Sequence, residues 1–473
     1  MNDISPIIVW LRRDFRLHDN PMLKAAQESG RPIIPVFILD EIVETYGSAP
    51  KWRLEEAIKY FQNTLESLGS RLVVRIGQSL DVINDLITET GATNVYWARA
   101  YDPKSIARDK KIKLALKQQS IAAKSFTGFL VFEPWLAKTK AGTFFKVYSP
   151  MWRALQELHV EPEADEVTEL KSPEHWPQSV PLDDLRLSDG MGRGAEIVKR
   201  HSNIGEKQAL KRLYHFVGTK IDQYKAKRDF LDKDYTSGLS ENLTWGEVSA
   251  RRMWFLAKNS KKLGDRGAEH FQKEIAWREF AYHLSYHTPE IEDRNWRESW
   301  NNFPWKDDCD DANKWRQGRT GEPLIDAAMR ELYITGKMHN RARMLVASYL
   351  TKHLMIDWRV GKAWFEETLI DWDPASNAMG WQWVAGCGPD AAPYFRIFNP
   401  KGQAEKFDAE EIYQDKYLNI GSEVSESALS FYKAIPKSWN LSCEDSYPEP
   451  MIDLRVGRER ALDAYKTLKS ENY

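Results

Sequence analysis

The chain is poor in cysteine, with 3 residues in 473, and these form neither a CxxC pair nor a spacing typical of metal ligands. Its 10 histidines include no HExxH pattern, the usual signature of a zinc-dependent hydrolase. The sequence therefore predicts no metal site and no disulfide framework. Unpaired cysteines are typical of a reducing compartment, so we expect a cytoplasmic protein.

Long apolar runs are also missing, and no stretch approaches the ~20 residues that a helix needs to cross a membrane. The first residues lead directly into a short apolar run at 7–11, which predicts that no signal peptide is present. We therefore expect no membrane partner, and we expect a monomer. The net charge of −2 neither requires nor excludes a nucleic-acid partner, because local charge clusters matter more than their sum.

Tryptophan is the residue type in excess, with 19 copies, most of which follow position 250. A length of 473 residues exceeds what one ordinary hydrophobic core can organise, and it predicts two or three domains. The second half of the chain is therefore where we expect a function that depends on aromatic side chains.

The first 130 residues alternate short apolar runs with helical stretches. Predicted strands cover 7–11, 33–39, 72–76, 95–98 and 122–126, and predicted helices cover 52–68, 82–90 and 104–119. This alternation predicts an α/β domain on a five-stranded parallel, Rossmann-like sheet, which binds ligands beyond the carboxyl ends of its strands. The segment 12–16 (RRDFR) follows the first strand where a Gly-rich phosphate loop would read GxGxxG. Taken alone, its three arginines are interpreted as a solvated loop.

The rest of the chain divides into two parts. Residues 133–195 combine an acidic stretch with scattered prolines and glycines, which is typical of a linker that runs over the surface. From residue 196 onward the apolar positions follow a helical period. We therefore predict an α/β domain at 1–132, a linker at 133–195 and a larger all-helical domain at 196–473.

The densest cluster of polar and aromatic side chains lies at 371–383, which holds two carboxylates, three tryptophans and the amide of Asn377. Asp373 followed by Pro374 is typical of a helix start, with the aspartate as N-cap. Asn377 and Trp381 would then lie one turn apart on one face of the helix. The combination suits a large planar redox ligand, and a buried Trp-rich helix is the equally weighted alternative.

Two other groups of residues can each be interpreted either as part of a binding site or as ordinary structure. Residues 236–240 place hydroxyls and a glycine ahead of a helical stretch, as in a phosphate cradle, although such turns often only cap helices. Glu274, Trp277 and Arg278 share one helix face, which suits a polar site with a stacking surface. The alternative for this face is a surface ion pair beside a half-buried tryptophan.

Asn340, Arg341 and Met344 offer directed hydrogen bonds and a soft apolar contact on a further helix. Basic residues between 220 and 252 are interleaved with tyrosine and phenylalanine, a mixture typical of nucleic-acid surfaces. A solvated basic face is the alternative for both groups.

These groups occur in the order and spacing of a known family. The chain resembles the photolyase/cryptochrome family of blue-light flavoproteins over essentially its full length, from WLRRDFR at 10–16 to RERAL at 458–462. Among family members it is most similar to bacterial cyclobutane pyrimidine dimer photolyases. The most specific motifs are WREF at 277–280, DAAMR at 326–330, MHNR at 338–341, GWQW at 380–383 and DAAPYFRIFNP at 390–400.

The resemblance implies that the helical domain binds FAD and that the α/β domain carries an antenna chromophore. Arg343 would pair with Asp371 beside the isoalloxazine ring, and residues 236–240 would hold the phosphates. Asn377 would face flavin N5, where an amide cannot deliver a proton, and this favours repair. The residues implied to bind FAD are Tyr224, Thr236, Ser237, Gly238, Leu239, Ser240, Arg278, Asn340, Arg343, Asp371, Trp372, Asp373 and Asn377.

The resemblance also implies the activity of a deoxyribodipyrimidine photo-lyase, in which light moves an electron from reduced FAD to a pyrimidine dimer flipped out of the duplex. Trp277 and Trp383 would wall the lesion cavity, and Glu274 would hydrogen-bond the base edges and stabilise the radical anion. The other residues implied to contact lesion or DNA are Arg228, Asn340, Arg341 and Met344. The residues matching the family's electron-carrying tryptophan chain are Trp381, Trp358 and Trp305.

Two alternative activities remain open, a cryptochrome-type blue-light photoreceptor and a (6-4) photolyase. Asn340 stands where (6-4) photolyases have a second histidine, which argues for the cyclobutane substrate. Ser105 and residues 292–293 depart from the folate site of bacterial relatives. A deazaflavin, a flavin, a differently bound folate or no antenna at all are therefore left as alternatives.

Overall fold

The computed structural model describes residues 4–260, 266–390, 395–418 and 424–470. Its five strands form one parallel sheet in the order β3-β2-β1-β4-β5, so the predicted five-stranded parallel sheet is confirmed. Every residue of β1 and β2 is buried, as expected for central strands covered on both faces. The strands are β1 (Ile7–Leu11), β2 (Ile33–Leu39), β3 (Val73–Ile76), β4 (Asn94–Ala98) and β5 (Ala122–Phe126).

Four long helices alternate with these strands, namely α1 (Pro21–Glu28), α2 (Ser48–Ser67), α3 (Ser79–Thr90) and α4 (Pro103–Gln118). The predicted larger helical part is confirmed as well, and among the described residues no helix is both long and apolar enough to cross a membrane. Its helices are α5 (Tyr148–Glu157), α6 (Ala195–Lys199), α7 (Glu206–Thr219), α8 (Tyr224–Lys227), α9 (Ser240–Thr244), α10 (Ala250–Ser260), α11 (Arg266–His287), α12 (Asp310–Arg316), α13 (Pro323–Thr335), α14 (Asn340–Ser348), α15 (Trp358–Thr368), α16 (Pro374–Ala385), α17 (Pro400–Phe407), α18 (Ile412–Tyr417), α19 (Glu426–Ala434) and α20 (Leu454–Ser470).

The segment predicted as a surface linker contains α5, and one face of this helix packs into the core. Its residues Tyr148, Met151, Trp152 and Leu155 recur at helical spacing and are buried in the core that also includes α10 and α11. The acidic and proline-rich flanks of the segment hid this periodicity in the sequence. The segment therefore contains a packed helix that the sequence analysis did not identify, while the linker and its boundaries stay a prediction.

The arginines of the segment after β1 are not solvated, so that interpretation is also wrong. Arg16 is only 3% exposed and donates to the carbonyl oxygens of Asp19, Gly128 and Gly246. Arg13 donates to the carbonyl oxygen of Trp372 in the helical part, at 2.9 Å. Buried carbonyls need donors, and the long arginine side chains supply them where the two parts of the chain meet.

A fully buried charge network holds α2 of the sheet region against α9 of the helical region. The Arg53 guanidinium donates to Glu241 Oε2 at 2.9 Å and to Glu247 Oε1 at 3.0 Å. All three side chains are at most 1% exposed, and Lys337 forms a second ion pair with Glu241. Because no water can replace these partners, each charge in the network depends on the others.

Replacing Arg53 should destabilise the protein strongly. We expect Arg53→Met to lower the free energy of unfolding by about 3–5 kcal/mol, because it leaves two carboxylates buried near a single remaining lysine. The change should appear as a lower urea midpoint, followed by circular dichroism. Arg186→Met is the matched control, since the Arg186–Asp189 pair is exposed and should contribute less than about 1 kcal/mol. Equal losses in the two variants would contradict this account of the network.

Candidate active site

Helix α16 begins as the sequence predicts, and its start fixes the carboxylate of Asp373. Asp373 is the N-cap residue, and its Oδ1 accepts from the backbone N–H of Ser376 at 2.9 Å. Its other oxygen accepts a hydrogen bond from the hydroxyl of Tyr282 on α11. Burial, followed by the nearby Asp373 charge, raises the pKa of Tyr282 well above its usual value, so this hydroxyl stays protonated and remains a donor.

Asp371 and Arg343 form the ion pair that the sequence predicted. Arg343 Nη2 donates to Asp371 Oδ2 at 2.7 Å, and Arg343 Nε donates to the carbonyl oxygen of Met338 at 2.8 Å. Asp371 is only 6% exposed, and its second oxygen is buried without a hydrogen-bond partner in the protein. An unpaired buried acceptor of this kind fits a ligand that brings its own donor.

Asn377 and Trp381 are buried one turn apart on α16, as predicted. The Asn377 amide donates to the carbonyl oxygen of Lys362 on α15, at 3.1 Å. A neutral amide has no acidic proton to deliver, unlike a carboxylic acid. The side chain that the sequence placed nearest a flavin is therefore held in one orientation by the neighbouring helix.

The turn before α9 brings polar groups and a cation together. Gly238 has a left-handed φ of +59°, and any side chain there would collide with the Arg212 guanidinium. Arg212 Nε donates to the carbonyl oxygen of Ser237 at 2.9 Å, while Tyr224 and Leu239 are buried nearby in the same core. A hydroxyl-bearing turn with an adjacent arginine is suited to phosphate groups.

Arg278 and Trp372 lie where the helical part meets the α/β part. Arg278 Nη1 donates to the carbonyl oxygen of Phe129 at 3.0 Å, and its Nη2 is buried without a partner. The Trp372 ring lies edge-on to Tyr46, with centroids 5.2 Å apart, and its Nε1 is likewise unpaired. These residues thus border the contact between the two parts, and both retain donors for a ligand.

The two residues predicted to contact DNA separately, Arg228 and Glu274, form an ion pair with each other. His270 also lies beside Glu274, with Nε2 3.5 Å from Oε1. Burial is the main cause that lowers the pKa of His270, so this histidine is mainly neutral at neutral pH. Without DNA, each of the predicted contact residues therefore satisfies the charge of the other.

Helix α14 carries the predicted group Asn340, Arg341 and Met344. Asn340 is exposed at the first helical position, and Met344 is half-buried. Arg341 donates to Asp229 at 2.6 Å and its guanidinium lies 4.6 Å from the centre of the Phe407 ring. His339 caps the helix, and burial lowers its pKa to about 4, so it is neutral at physiological pH.

Trp277 and Trp383, the predicted walls of the lesion cavity, are each fixed by a residue that the sequence did not single out. The ring of Tyr148 stacks on Trp277, with centroids 3.7 Å apart and planes within 6°. Trp383 Nε1 donates to the carbonyl oxygen of Asp390 at 3.2 Å. Tyr148 was missed because it lies in the segment interpreted as a linker, although its aromatic side chain at the start of a helical period was a usable signal.

The three tryptophans of the predicted electron chain differ in their exposure to solvent. Trp381 and Trp358 are buried, whereas Trp305 is partly exposed. Trp381 lies against Gly361, which is on the same face of α15 as Trp358, and any side chain at Gly361 would collide with it. The Trp381 ring also contacts Trp315, at 6.2 Å between centroids. Trp315 is a buried neighbour that the sequence gave no reason to select.

Two cavities are candidate sites for a second chromophore, one because of its position and the other because of its size. The first lies beyond the carboxyl ends of the strands and has a volume of only about 50 Å³. Arg12 and Arg108 border it, and both are paired with Asp109. The second has a volume of about 550 Å³, within the usual range of small-molecule sites.

Three aromatic rings line one side of the larger cavity. The centroids of Trp364 and Trp439 are 6.3 Å apart and their planes differ by 31°. Tyr333 lies 5.0 Å from Trp439 and 6.3 Å from Trp364. Trp364 Nε1 is buried without a hydrogen-bond partner, and Arg316 and Glu367 contribute charges at the edge. This lining suits a flat heteroaromatic ligand.

The described residues fit the cofactor implied by the sequence. The unpaired buried atoms of Asp371, Arg278 and Trp372 belong to residues predicted to bind FAD. Within the part of the chain that the structure describes, no group of three or more His, Cys, Asp or Glu side chains is arranged to hold a metal ion. Residues 391–394 of the motif at 390–400 lie outside the described ranges.

Comparisons with known proteins agree with this site. The family model described as DNA photolyase matches residues 7–173, and the model of the FAD binding domain of DNA photolyase matches residues 271–467. A deoxyribodipyrimidine photo-lyase from Agrobacterium fabrum is 42% identical over 98% of both chains.

Solved structures give the same result. The crystal structure of a bacterial class III photolyase from Agrobacterium tumefaciens superposes with a TM-score of 0.91, at 41% identity, covering 99% of this chain and 98% of that one. An archaeal photolyase from Sulfolobus tokodaii with two FAD molecules superposes with a TM-score of 0.81, at 26% identity, covering 98% and 100%. With sequence, fold and site in agreement, this chain belongs to the DNA photolyase family.

Proposed function

We propose that the protein is a deoxyribodipyrimidine photo-lyase that uses light and FAD to split cyclobutane pyrimidine dimers in DNA. The observation that carries the proposal is the Arg343–Asp371 pair, in which a buried carboxylate keeps one oxygen free, on the segment that leads into the helix of Asn377. The deoxyribodipyrimidine photo-lyase that is 42% identical over 98% of both chains supports the same activity.

FAD bound in the helical domain supplies the light-excited electron that the chemistry requires. Arg343 orients Asp371, and the free oxygen of Asp371 is offered to the ligand as an acceptor. The turn at 236–240 and the Arg212 guanidinium beside it bind phosphate. Asn377 presents a neutral amide, so no carboxylic acid at this position competes to protonate the ligand.

The substrate side of the proposal uses the two tryptophan walls. Trp277 and Trp383 pack against a dimer that has left the duplex, and the damaged bases leave the stack at low cost. Glu274 accepts hydrogen bonds from base edges once Arg228 turns to a backbone phosphate, since the two side chains now satisfy each other. Phosphate contacts position the DNA, while the cavity selects the lesion. Asn340, Arg341 and Met344 border the cavity.

In this proposal, electrons enter from the surface along a path of three tryptophans. The path runs from the partly exposed Trp305 to the buried Trp358 and Trp381. A graded path of this kind keeps water away from the inner ring while the outer ring remains accessible to a reductant. Trp315 gives Trp381 a second tryptophan neighbour.

We also propose that a second chromophore binds in the larger cavity, against Trp364 and Trp439. Its volume of about 550 Å³ accommodates a flat ring system, whereas the cavity at the sheet edge measures about 50 Å³ with its arginines paired. The solved archaeal relative with two FAD molecules supports a two-chromophore arrangement in this family. A deazaflavin, a folate or a flavin would each present a flat ring system to this cavity.

The remaining proposals concern the state of the protein in the cell. We infer that it acts as a monomer in the cytoplasm. Cys309 and Cys387 form no disulfide, which supports a reducing compartment.

The first prediction tests the activity itself. Protein with reduced FAD should remove cyclobutane dimers from ultraviolet-irradiated DNA under blue light, but not in the dark, and should leave (6-4) products intact. Trp277→Ala should weaken lesion binding roughly 10- to 100-fold, because it removes a stacking surface. Trp176→Ala, which changes a tryptophan packed against the core of the α/β part, is the control. A reduced, FAD-loaded sample that binds lesion DNA and leaves its dimers intact would overturn the proposal.

A second prediction concerns the tryptophan path. Trp381→Phe should abolish light-driven reduction of oxidised FAD, because a phenylalanine ring is much harder to oxidise than an indole. Repair by chemically reduced protein should largely survive. Absorbance at blue wavelengths during illumination measures the first effect, and dimer counting measures the second. Trp358→Phe is a weaker test because Trp315 remains beside Trp381. Normal photoreduction in Trp381→Phe would refute the path.

A third prediction locates the second chromophore. Trp364→Ala should release it while FAD stays bound, because the substitution removes one of the two facing indoles. Absorption spectra of cofactors extracted from the purified protein measure both. Arg108→Ala, which enlarges the cavity at the sheet edge, should leave the second chromophore in place. If Arg108→Ala released the second chromophore and Trp364→Ala kept it, the chromophore would belong to the cavity at the sheet edge. A wild-type extract that contained FAD alone would exclude a second chromophore.

A further inference from the structure

Tyr148 is fixed against one wall of the proposed lesion cavity at both ends of its side chain. Its ring lies parallel to that of Trp277, with centroids 3.7 Å apart. Its hydroxyl donates to the carbonyl oxygen of Lys273 at 2.8 Å, and Lys273 is one turn before Trp277 on α11. The tyrosine therefore cannot turn away from the tryptophan without losing both the stack and the hydrogen bond.

Only one face of Trp277 is covered by this contact. Tyr148 is 7% exposed and belongs to the core around α11, whereas Trp277 is half-buried. The tyrosine thus covers the inner face of the indole, and the other face stays available to a base. Burial, followed by the charge of Glu274, raises the pKa of the Tyr148 hydroxyl far above its usual value, so it remains a neutral donor.

Asp390 connects this wall to the other one. Its carbonyl oxygen accepts from Trp383 Nε1 at 3.2 Å. Burial raises the pKa of its carboxyl group, and the nearby backbone N–H of Tyr148 offsets part of that rise. Its backbone adopts a left-handed conformation, with a φ of +50°. Aspartate and asparagine tolerate this conformation better than most residues that carry a side chain.

We propose that Tyr148 and Asp390 are positioning residues that set the orientation and spacing of Trp277 and Trp383 for a flipped-out pyrimidine pair. Tyr148 stacks on Trp277, the carbonyl oxygen of Asp390 accepts from Trp383, and Asp390 is a neighbour of Tyr148. Walls that are held in place before binding do not lose conformational entropy when the lesion enters. This inference rests on the proposed function, because it assigns the two tryptophans to the lesion cavity.

Two substitutions of Tyr148 separate the ring from the hydroxyl. Tyr148→Leu keeps an apolar side chain but removes the flat ring, and it should weaken binding of dimer-containing DNA about 3- to 10-fold. Tyr148→Phe keeps the ring and should restore most of that affinity. Binding of undamaged DNA and the FAD absorbance should not change in either variant. Tyr96→Leu, on β4, is the control for loss of a tyrosine elsewhere.

Substitutions of Asp390 test the second half of the connection. Asp390→Ala removes the carboxyl group near Tyr148 and places alanine in a left-handed conformation, so it should weaken lesion binding by about 3- to 10-fold. Asp390→Asn should recover most of the affinity, because its amide is similar in size to the carboxyl group and asparagine tolerates the left-handed conformation. If Asp390 had only a structural role, Asp390→Ala would lower the thermal stability and Asp390→Asn would not recover the affinity for the lesion.

The outcomes distinguish this inference from the proposed function. If wild type repairs dimers and Trp277→Ala loses lesion affinity, while Tyr148→Leu and Asp390→Ala both bind like wild type, the positioning role is wrong. If wild type and Trp277→Ala bind damaged and undamaged DNA alike, the proposed function fails instead. If Tyr148→Leu does not retain FAD, the comparison of Asp390→Ala with Asp390→Asn tests the positioning role instead. Asp390 is only partly buried, so these two variants should fold.

Discussion

The buried charge of Arg53 determines how the helical half of this protein is attached to the sheet. Glu241 and Glu247 neutralise it without help from water, so α9 has one position relative to α2. From the end of α9, the Thr244 hydroxyl donates to the carbonyl oxygen of Asp371 at 3.1 Å. Trp245 Nε1 likewise donates to the carbonyl oxygen of Ile370 at 2.8 Å. The carboxylate at the centre of the site thus takes its position from an ion pair in a different part of the fold.

The same dependence recurs wherever the two parts of the chain meet. Arg13 donates to the carbonyl oxygen of Trp372, and Arg278 donates to that of Phe129. The Glu279 carboxylate accepts from the backbone N–H groups of Val131 and Phe132, at 3.0 and 2.9 Å. Side chains that border the site therefore also hold the two parts together, and the arrangement is suited to a reaction in which geometry matters more than proton transfer.

The sequence predicted most of the elements because their signals are local. Alternating apolar runs and helices determine a parallel sheet, and Asp373 with Pro374 determines the start of α16. The pair of Arg343 and Asp371 was inferred from resemblance, and the structure brings the two together. The boundaries of α5 and the burial of Arg16 were missed, because each depends on partners more than a hundred residues away.

The sequence by itself determined the parallel sheet, the helical second half, the family and the residue types gathered around the site. Those properties follow from periodicity, capping and motif spacing, which are all written along one stretch of chain. Only the tertiary structure decided that Arg228 pairs with Glu274 and that Tyr148 covers the inner face of Trp277. It also decided which cavity is open and which is bordered by paired arginines. These are contacts between distant segments, and their geometry is set by packing that no local pattern encodes.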